Sequence, residues 1–140
     1  LFLRMDKHAE NALKLAQHFQ NHPQLNWVKY PFLETHPQYA IAKKQMSNGG
    51  GIVTFELKGG IEAGRKFLNS LQMLSMTNNL GDSRTIASHP ASTTHSKLSA
   101  DEKKAVGITD GLVRISVGLE HIDDIIDDIE QALNSAPSAP

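Results

Sequence analysis

Cysteine is missing from the 140-residue chain, which excludes disulfides, thiolate catalysis and cysteine-ligated metal sites. A net positive charge is missing too: 14 Lys and Arg face 15 Asp and Glu, for a formal net charge of -1. The chain therefore has no excess of positive charge that would favour a nucleic acid or an anionic membrane as a partner. No apolar run approaches the roughly 20 residues that span a bilayer, and no signal-peptide pattern opens the chain. We expect a soluble, cytoplasmic protein.

The composition that remains is that of one globular domain. Hydrophobic residues make up 39% of the chain and charged residues 21%, on a length that can bury its own core. We predict a single domain over residues 1–140. The first residue is Leu1, and the first methionine, Met5, falls inside a helical pattern. We therefore expect Leu1 to be a boundary within a longer protein.

Hydrophobic periodicity predicts a mixture of helices and strands. Helices are predicted at 1–22, ended by Pro23, at His36–Met46 with a Thr35 cap, at Ile61–Leu71, from a Ser99/Glu102 capping box to Val106, and from His121 or Ile122 to about Leu133. Strands are predicted at Leu25–Tyr30, Ile52–Leu57, Leu74–Thr77 and Leu112–Val117. The segment from Asn78 to Leu98 has no period and is predicted to be a folded loop, and 135–140 a frayed tail. Because the strand connections vary from helical to irregular, the fold class is α+β.

Two groups of side chains could suggest a metal, and each has a simpler interpretation. The first group is histidines whose spacing matches no established ligand motif: His89, His95 and His121. The second is a set of carboxylates that we predict to form the solvated face of the last helix rather than a calcium loop: Asp123, Asp124, Asp127 and Asp128. We expect no metal site.

Arg114 is the strongest candidate for binding. It lies at the centre of a predicted strand, on the face opposite the apolar Val113 and Ile115. A cation there needs an anionic partner, and its planar fork matches a carboxylate with charged hydrogen bonds that contribute about 1.5–3 kcal/mol each. From the residues alone, an internal salt bridge to one of the fifteen acidic residues is the favoured explanation.

Three motifs stand in order along the chain: Asn79-Leu80-Gly81-Asp82, His89-Pro90-Ala91-Ser92-Thr93-Thr94-His95 and Gly111-Leu112-Val113-Arg114-Ile115-Ser116-Val117-Gly118-Leu119-Glu120. Together they resemble the C-terminal domain of the Cys/Met-metabolism pyridoxal-phosphate enzymes. The resemblance covers nearly the whole chain. Within that family, the first two motifs are most similar to the O-acetylhomoserine sulfhydrylases.

The resemblance implies an architecture and a set of partners. The chain would be the C-terminal domain of a fold-type-I transferase, with a small antiparallel sheet and helices on one side. A larger upstream domain, absent here, would hold pyridoxal 5'-phosphate and its lysine, so no catalytic, cofactor-binding or metal residue is expected in this segment and no cofactor on this chain alone. The intact enzyme would be a homotetramer acting on a small amino acid.

The resemblance also assigns roles to four residues. Arg114, Asn79 and Leu80 would bind the α-carboxylate of the substrate, and Thr94 would support that site without direct contact. Without the family, Asn79 would be part of an ordinary turn, and the Thr94 hydroxyl would bond its own backbone.

The implied reaction converts O-acetyl-L-homoserine and sulfide into L-homocysteine and acetate, a step of methionine biosynthesis. Asn79 and Asp82 stand where the lyases of the family have serine and a second glycine, which favours a sulfhydrylase. The alternatives are a methionine or cystathionine γ-lyase or synthase of the same family and, from another class, a cofactor-free amino-acid-binding or structural domain.

Overall fold

The structure is a computed structural model that describes residues 2–34, 36–76, 84–88, 99, 101–102 and 111–135. Within these ranges the helices are α1 (Phe2–Phe19), α2 (Tyr39–Gln45), α3 (Gly60–Ser70) and α4 (Ile122–Ser135). The strands of the same ranges are β1 (Leu25–Lys29), β2 (Ile52–Leu57), β3 (Ser75–Met76), β4 (Ile86–Ser88) and β5 (Leu112–Ser116). The mixture confirms the predicted α+β class.

The five strands form one sheet in the order β1-β2-β5-β4-β3. The β1–β2, β2–β5 and β5–β4 pairs are antiparallel, as the resemblance implied, whereas β3 joins the edge parallel to β4. Gly111 brings the start of β5 close to β2, because its carbonyl accepts the Leu57 N–H at 2.8 Å and a side chain there would collide with the Leu57 backbone. The strand order places β5, which carries Arg114, in the middle of the sheet.

One face of the sheet carries the hydrophobic core. Alternation along β2 places Val53, Phe55 and Leu57 inward, and β5 adds Val113 and Ile115, all at 2% exposure or less. Burial of such a side chain contributes about 1.5–3 kcal/mol. Helices α1, α3 and α4 share this core with the sheet, so they lie on its inner face, as predicted.

Helix α1 is amphipathic, as predicted, but ends at Phe19 instead of residue 22, and a turn closes it before Pro23. It packs against α4. At their outer edge, the Nε2 atoms of His18 and His22 each lie 3.1 Å from a carboxylate oxygen of Glu130. Burial opposes ionisation of Glu130, but the bonds to His22 and His18 outweigh it and hold its pKa below the ordinary value. The two ends of the described chain are thus joined.

The predicted helix His36–Met46 begins later, at Tyr39. Pro37 explains the difference, because a proline disfavours the helical conformation of the residue before it. The ring nitrogen Nδ1 of His36 instead accepts the Gln38 N–H at 3.0 Å. Gln38 occupies the N-cap position without a side-chain bond, and Thr35, the predicted cap, lies outside the described residues.

Part of the predicted loop is a strand. Within Asn78–Leu98 the structure shows β4, whose three residues are all buried between β5 and β3. Three residues are too few to show the alternation that reveals a strand in sequence. The loop prediction is therefore wrong for Ile86–Ser88.

The capping box is confirmed where the structure describes it. The Glu102 N–H donates to Ser99 Oγ at 3.2 Å, and the Ser99 N–H donates to Glu102 Oε2 at 3.4 Å. The rest of that helix up to Val106 and the tail beyond Ser135 lie outside the described residues. Across the described part of the chain, no helix has both the length and the apolarity to cross a membrane.

Candidate functional site

Arg114 lies between two hydroxyl side chains. In register, β5 places it opposite Thr54 of β2 on one side and Ser88 of β4 on the other. Lys29 of β1 stands opposite Thr54 in turn. Residues in register share a face of the sheet, so Lys29, Thr54, Arg114 and Ser88 form one row, which we call the Arg114 row. The row is polar throughout and lies on the face opposite the helices.

The Arg114 side chain is half-buried and takes part in at least one polar or electrostatic contact. A guanidinium that has lost part of its hydration is stabilised only by hydrogen bonds or an anion. The position on the open face is the predicted one. It agrees both with an internal partner and with a bound carboxylate.

The flanking side chains are less polar than the Arg114 row. Leu112 is buried and packs against Trp27, and Lys29 Nζ lies 4.7 Å from the centroid of the Trp27 ring, a cation–π contact. On the other side, Ile86 pairs with Ser116, and both are buried. These surroundings lower the local dielectric around the arginine and so strengthen its attraction for an anion.

Glu120 ties the end of β5 to the start of β4. Its carboxylate accepts the Thr85 N–H at 2.8 Å and the Thr85 hydroxyl at 2.7 Å, while the Gly118 N–H donates to that hydroxyl at 2.9 Å. From α1, Asn11 Nδ2 donates to the carbonyls of Gly118 at 3.1 Å and Glu120 at 2.9 Å. The strands that carry Arg114 and Ser88 are thereby fixed relative to each other and to α1.

Asp128 corrects the prediction of a solvated aspartate face. Its side chain on α4 is buried, at 7% exposure, and accepts the backbone N–H groups of Gln72, Met73 and Leu74 at 2.9, 2.8 and 2.9 Å. Burial raises the pKa of Asp128, but these three bonds and one from Gln131 outweigh it and hold the pKa below its ordinary value. Asp128 fastens the segment before β3 to the helical layer.

The other aspartates of that group, Asp123, Asp124 and Asp127, are exposed as predicted. Sequence reasoning missed Asp128 because the backbone N–H groups that donate to its carboxylate lie 54 to 56 residues away in the chain. The helical pattern of α4 offered one signal, since a residue three positions after the buried Ile125 falls near the buried stripe.

Of the residues predicted to bind the substrate carboxylate, the structure describes Arg114 alone. Asn79, Leu80 and Thr94 lie outside the described residues, as do His89 and His95. His121 is exposed beside Asp123, with its Nδ1 3.9 Å from a carboxylate oxygen. Among the described residues, no three His, Asp or Glu side chains are grouped so that they could hold a metal ion.

The described residues do not fit a pyridoxal-phosphate site. A lysine that carries such a cofactor is activated by burial or by a neighbouring cation. Every lysine in the described ranges is exposed or half-buried. This part of the chain offers a half-buried arginine on the face of the sheet away from the helices, and no described lysine suited to hold the cofactor.

Comparison with known proteins identifies the class of protein that this fold and this arginine belong to. The sequence profile of the Cys/Met metabolism PLP-dependent enzymes matches residues 1–134, so the chain belongs to that family. The resemblance seen in the motifs is confirmed.

Among its relatives are enzymes of two kinds. L-methionine gamma-lyase of Fusobacterium nucleatum subsp. polymorphum is 53% identical over 131 residues, which are 94% of this chain and 33% of that protein. O-acetyl-L-homoserine sulfhydrylase of Leptospira meyeri is 50% identical over 135 residues, 95% of this chain and 30% of that protein. The chain spans about a third of the length of these relatives.

A solved structure shows the same fold. The crystal structure of an O-acetylhomoserine (thiol)-lyase from Campylobacter jejuni, which contains N'-pyridoxyl-lysine-5'-monophosphate, superimposes with a TM-score of 0.89 at 38% identity. The match covers 95% of this chain and 32% of that one. The architecture is therefore that of a PLP-dependent enzyme.

Proposed function

We propose that this chain is the C-terminal third of a PLP-dependent O-acetyl-L-homoserine sulfhydrylase, and that its task there is to hold the substrate by its α-carboxylate. The position of Arg114 carries the proposal: a half-buried guanidinium in the middle strand, between two hydroxyl residues, on the face away from the core. Family membership supports a PLP-dependent reaction of cysteine or methionine metabolism.

The proposed reaction replaces the acetate of O-acetyl-L-homoserine by sulfide and gives L-homocysteine and acetate. In such enzymes the cofactor supplies the electron sink. The part that we assign to this chain is orientation. A carboxylate gripped by the fork of Arg114 cannot rotate freely, so the bonds at the substrate Cα take one direction. Loss of the arginine should therefore lower turnover as well as affinity.

Asn79 and Asp82 support the sulfhydrylase over the γ-lyase, because lyases of the family carry serine and glycine in those places. We keep Asn79 and Leu80 as further carboxylate ligands in the proposal, and Thr94 as a residue that supports them. The relatives include both activities, and a methionine γ-lyase is accordingly the second candidate.

The experiment compares the full-length enzyme with Arg114→Ala and with Lys29→Ala as a matched control. Lys29 is the other cation of the Arg114 row, but it is exposed and stacks on Trp27. Homocysteine formation is measured from O-acetylhomoserine and sulfide. We expect Arg114→Ala to lower kcat/KM by about a hundredfold or more, since two charged hydrogen bonds are lost. Lys29→Ala should change it less than about threefold.

The same assay separates the two activities. Ammonia and an α-keto acid in place of homocysteine would replace the sulfhydrylase with the γ-lyase. Equal activity of Arg114→Ala and the parent enzyme would refute the carboxylate clamp in either reaction.

The proposal also covers cofactor and assembly. We propose that pyridoxal phosphate is held by the enzyme's own N-terminal domain and that the full-length protein is a homotetramer, on the support of family membership. The isolated chain should hold no cofactor, because we assign the cofactor lysine to the N-terminal domain. Stoichiometric pyridoxal phosphate on the isolated chain would contradict this.

A further inference from the structure

The hydroxyl of Ser88 is buried without a hydrogen-bond partner. Ser88 is 4% exposed, and its Oγ is one of two such unpartnered atoms in the part of the chain that the structure describes. The other is Oδ1 of Asn11, whose amide nitrogen already donates two hydrogen bonds. A buried hydroxyl with no partner loses its hydration and gains nothing in return. Ser88 therefore weakens the fold unless something else uses its hydroxyl.

Its position indicates what that use is. Ser88 pairs with Arg114 across the β4–β5 ladder, so the two side chains stand on the same face. Directly opposed residues have Cβ atoms about 4.5–5.5 Å apart, within reach of a long side chain. Arginine has five N–H donors, and a carboxylate bound bidentately occupies two of them. The guanidinium thus has more donors than the carboxylate uses, and a serine hydroxyl can accept a hydrogen bond from it.

We propose that Ser88 is a positioning residue for Arg114: when an amino-acid carboxylate is bound, Ser88 Oγ accepts a hydrogen bond from the guanidinium and fixes the plane of its fork. The inference rests on the proposed carboxylate-binding function. Ser88 acts through Arg114 and does not contact the reacting atoms. The surrounding strand supports such a role, because Glu120 and Thr85 fix the start of β4 to the end of β5.

The proposal predicts opposite signs for stability and function. If the Ser88 hydroxyl served only to stabilise the fold, its removal would destabilise the protein. Removal of an unpartnered hydroxyl should instead leave the stability of the fold equal or higher. Binding of a carboxylate, in contrast, should weaken. Measuring both quantities on one variant separates the two roles.

The test uses the full-length enzyme loaded with pyridoxal phosphate, and two probes that differ by one carboxylate: L-norleucine and n-pentylamine. Calorimetric titration gives the Kd of each. We expect Ser88→Ala to weaken norleucine binding about tenfold, to leave pentylamine unchanged, and not to lower the Tm of the unliganded enzyme. Unchanged norleucine binding, equal weakening of both probes, or a lowered Tm would each overturn the proposal.

Ser116→Ala is the matched control, since Ser116 is also buried on the same face but is not without a partner. Removal of the Ser116 hydroxyl should lower the Tm and leave the preference for norleucine over pentylamine unchanged. Arg114→Ala distinguishes the inference from the function beneath it. If that variant keeps the preference for norleucine, the carboxylate clamp itself is refuted. If it abolishes the preference while Ser88→Ala leaves the preference unchanged, only the role of Ser88 is refuted.

Discussion

The two faces of the sheet are built by alternate residues of the same strands, yet they do different work. On the covered face, Phe55 and Ile115 belong to the core that the sheet shares with three helices, and they are 1% and 0% exposed. On the opposite face, Thr54 and Arg114 are only half-buried, and Ser88 carries an unpartnered hydroxyl. One face stabilises the domain, and the other holds the groups that suit an anionic ligand.

This difference shows how a strand can serve both purposes. Since successive side chains point to opposite faces, a residue on the open face can change without disturbing the core behind it. The cost of a polar or charged residue there is limited to the open face. Substitutions at the half-buried positions of the open face should therefore affect function more than stability, and substitutions on the covered face the reverse.

The largest effect on stability should come from Phe55→Ala. Phe55 is 1% exposed, and its ring lies edge-on to Phe67 with 5.6 Å between the ring centroids. Loss of the ring leaves a cavity in the centre of the core, and we expect the free energy of unfolding to fall by about 3–5 kcal/mol. Urea denaturation measures it. A loss below about 1 kcal/mol would contradict the contrast between the faces.

Asp128→Asn should weaken the link between the helical layer and the sheet edge. We expect a loss of about 2–3 kcal/mol, because Asp128 accepts three backbone hydrogen bonds and an amide can replace it only in part. Asp127→Asn, an exposed neighbour on the same helix, is the control and should stay within about 0.5 kcal/mol.

The pH dependence of this difference has a definite sign. Because the pKa of Asp128 is lower in the folded chain than in the unfolded one, its contribution is complete above the unfolded pKa of about 3.9. It is lost as the pH falls from there through the folded pKa. The difference between wild type and Asp128→Asn should shrink below about pH 4 in denaturation curves, and a constant difference down to pH 2 would show that ionisation is irrelevant.

The smallest expected effects come from exchanging valine and threonine at two adjacent positions, one on each face of the sheet. Val53→Thr puts a hydroxyl into the core face and should cost about 1–2 kcal/mol. Thr54→Val, on the open face, should change stability by less than about 0.5 kcal/mol. Both are measured by urea denaturation of the single variants. Equal costs would mean that the two faces are energetically alike.

Sequence patterns predicted the elements with a long regular period. β2 has the predicted bounds Ile52–Leu57, and the face that carries Arg114 followed from the alternation of β5. Each of these strands has one face on the core and one on the open side, so the alternation of its hydrophobic residues indicates which residues lie in the core. The α+β class and the family followed from these elements and from the motifs.

Features that depend on distant parts of the chain were not predicted. β4 is a strand because β5 and β3 flank it, and nothing in three residues announces that. Asp128 can be buried because a segment more than fifty residues earlier supplies the N–H groups that donate to its carboxylate. The Ser88 hydroxyl could not be recognised as unpartnered without the strand that positions it. The roles of Asn79, Leu80 and Thr94 stay predictions.

The bonds between α1 and the segment after β5 determine when the domain can form. Asn11 bonds to Gly118 and Glu120, more than a hundred residues later in the chain. During synthesis at about 5–20 residues per second, α1 therefore waits roughly 5 to 20 s for its partners, with its apolar stripe exposed. We expect the ribosome-bound chain to stay protease-sensitive until α4 has emerged, which pulse proteolysis of stalled chains can measure. We therefore expect this domain to complete its folding only near the end of its own synthesis.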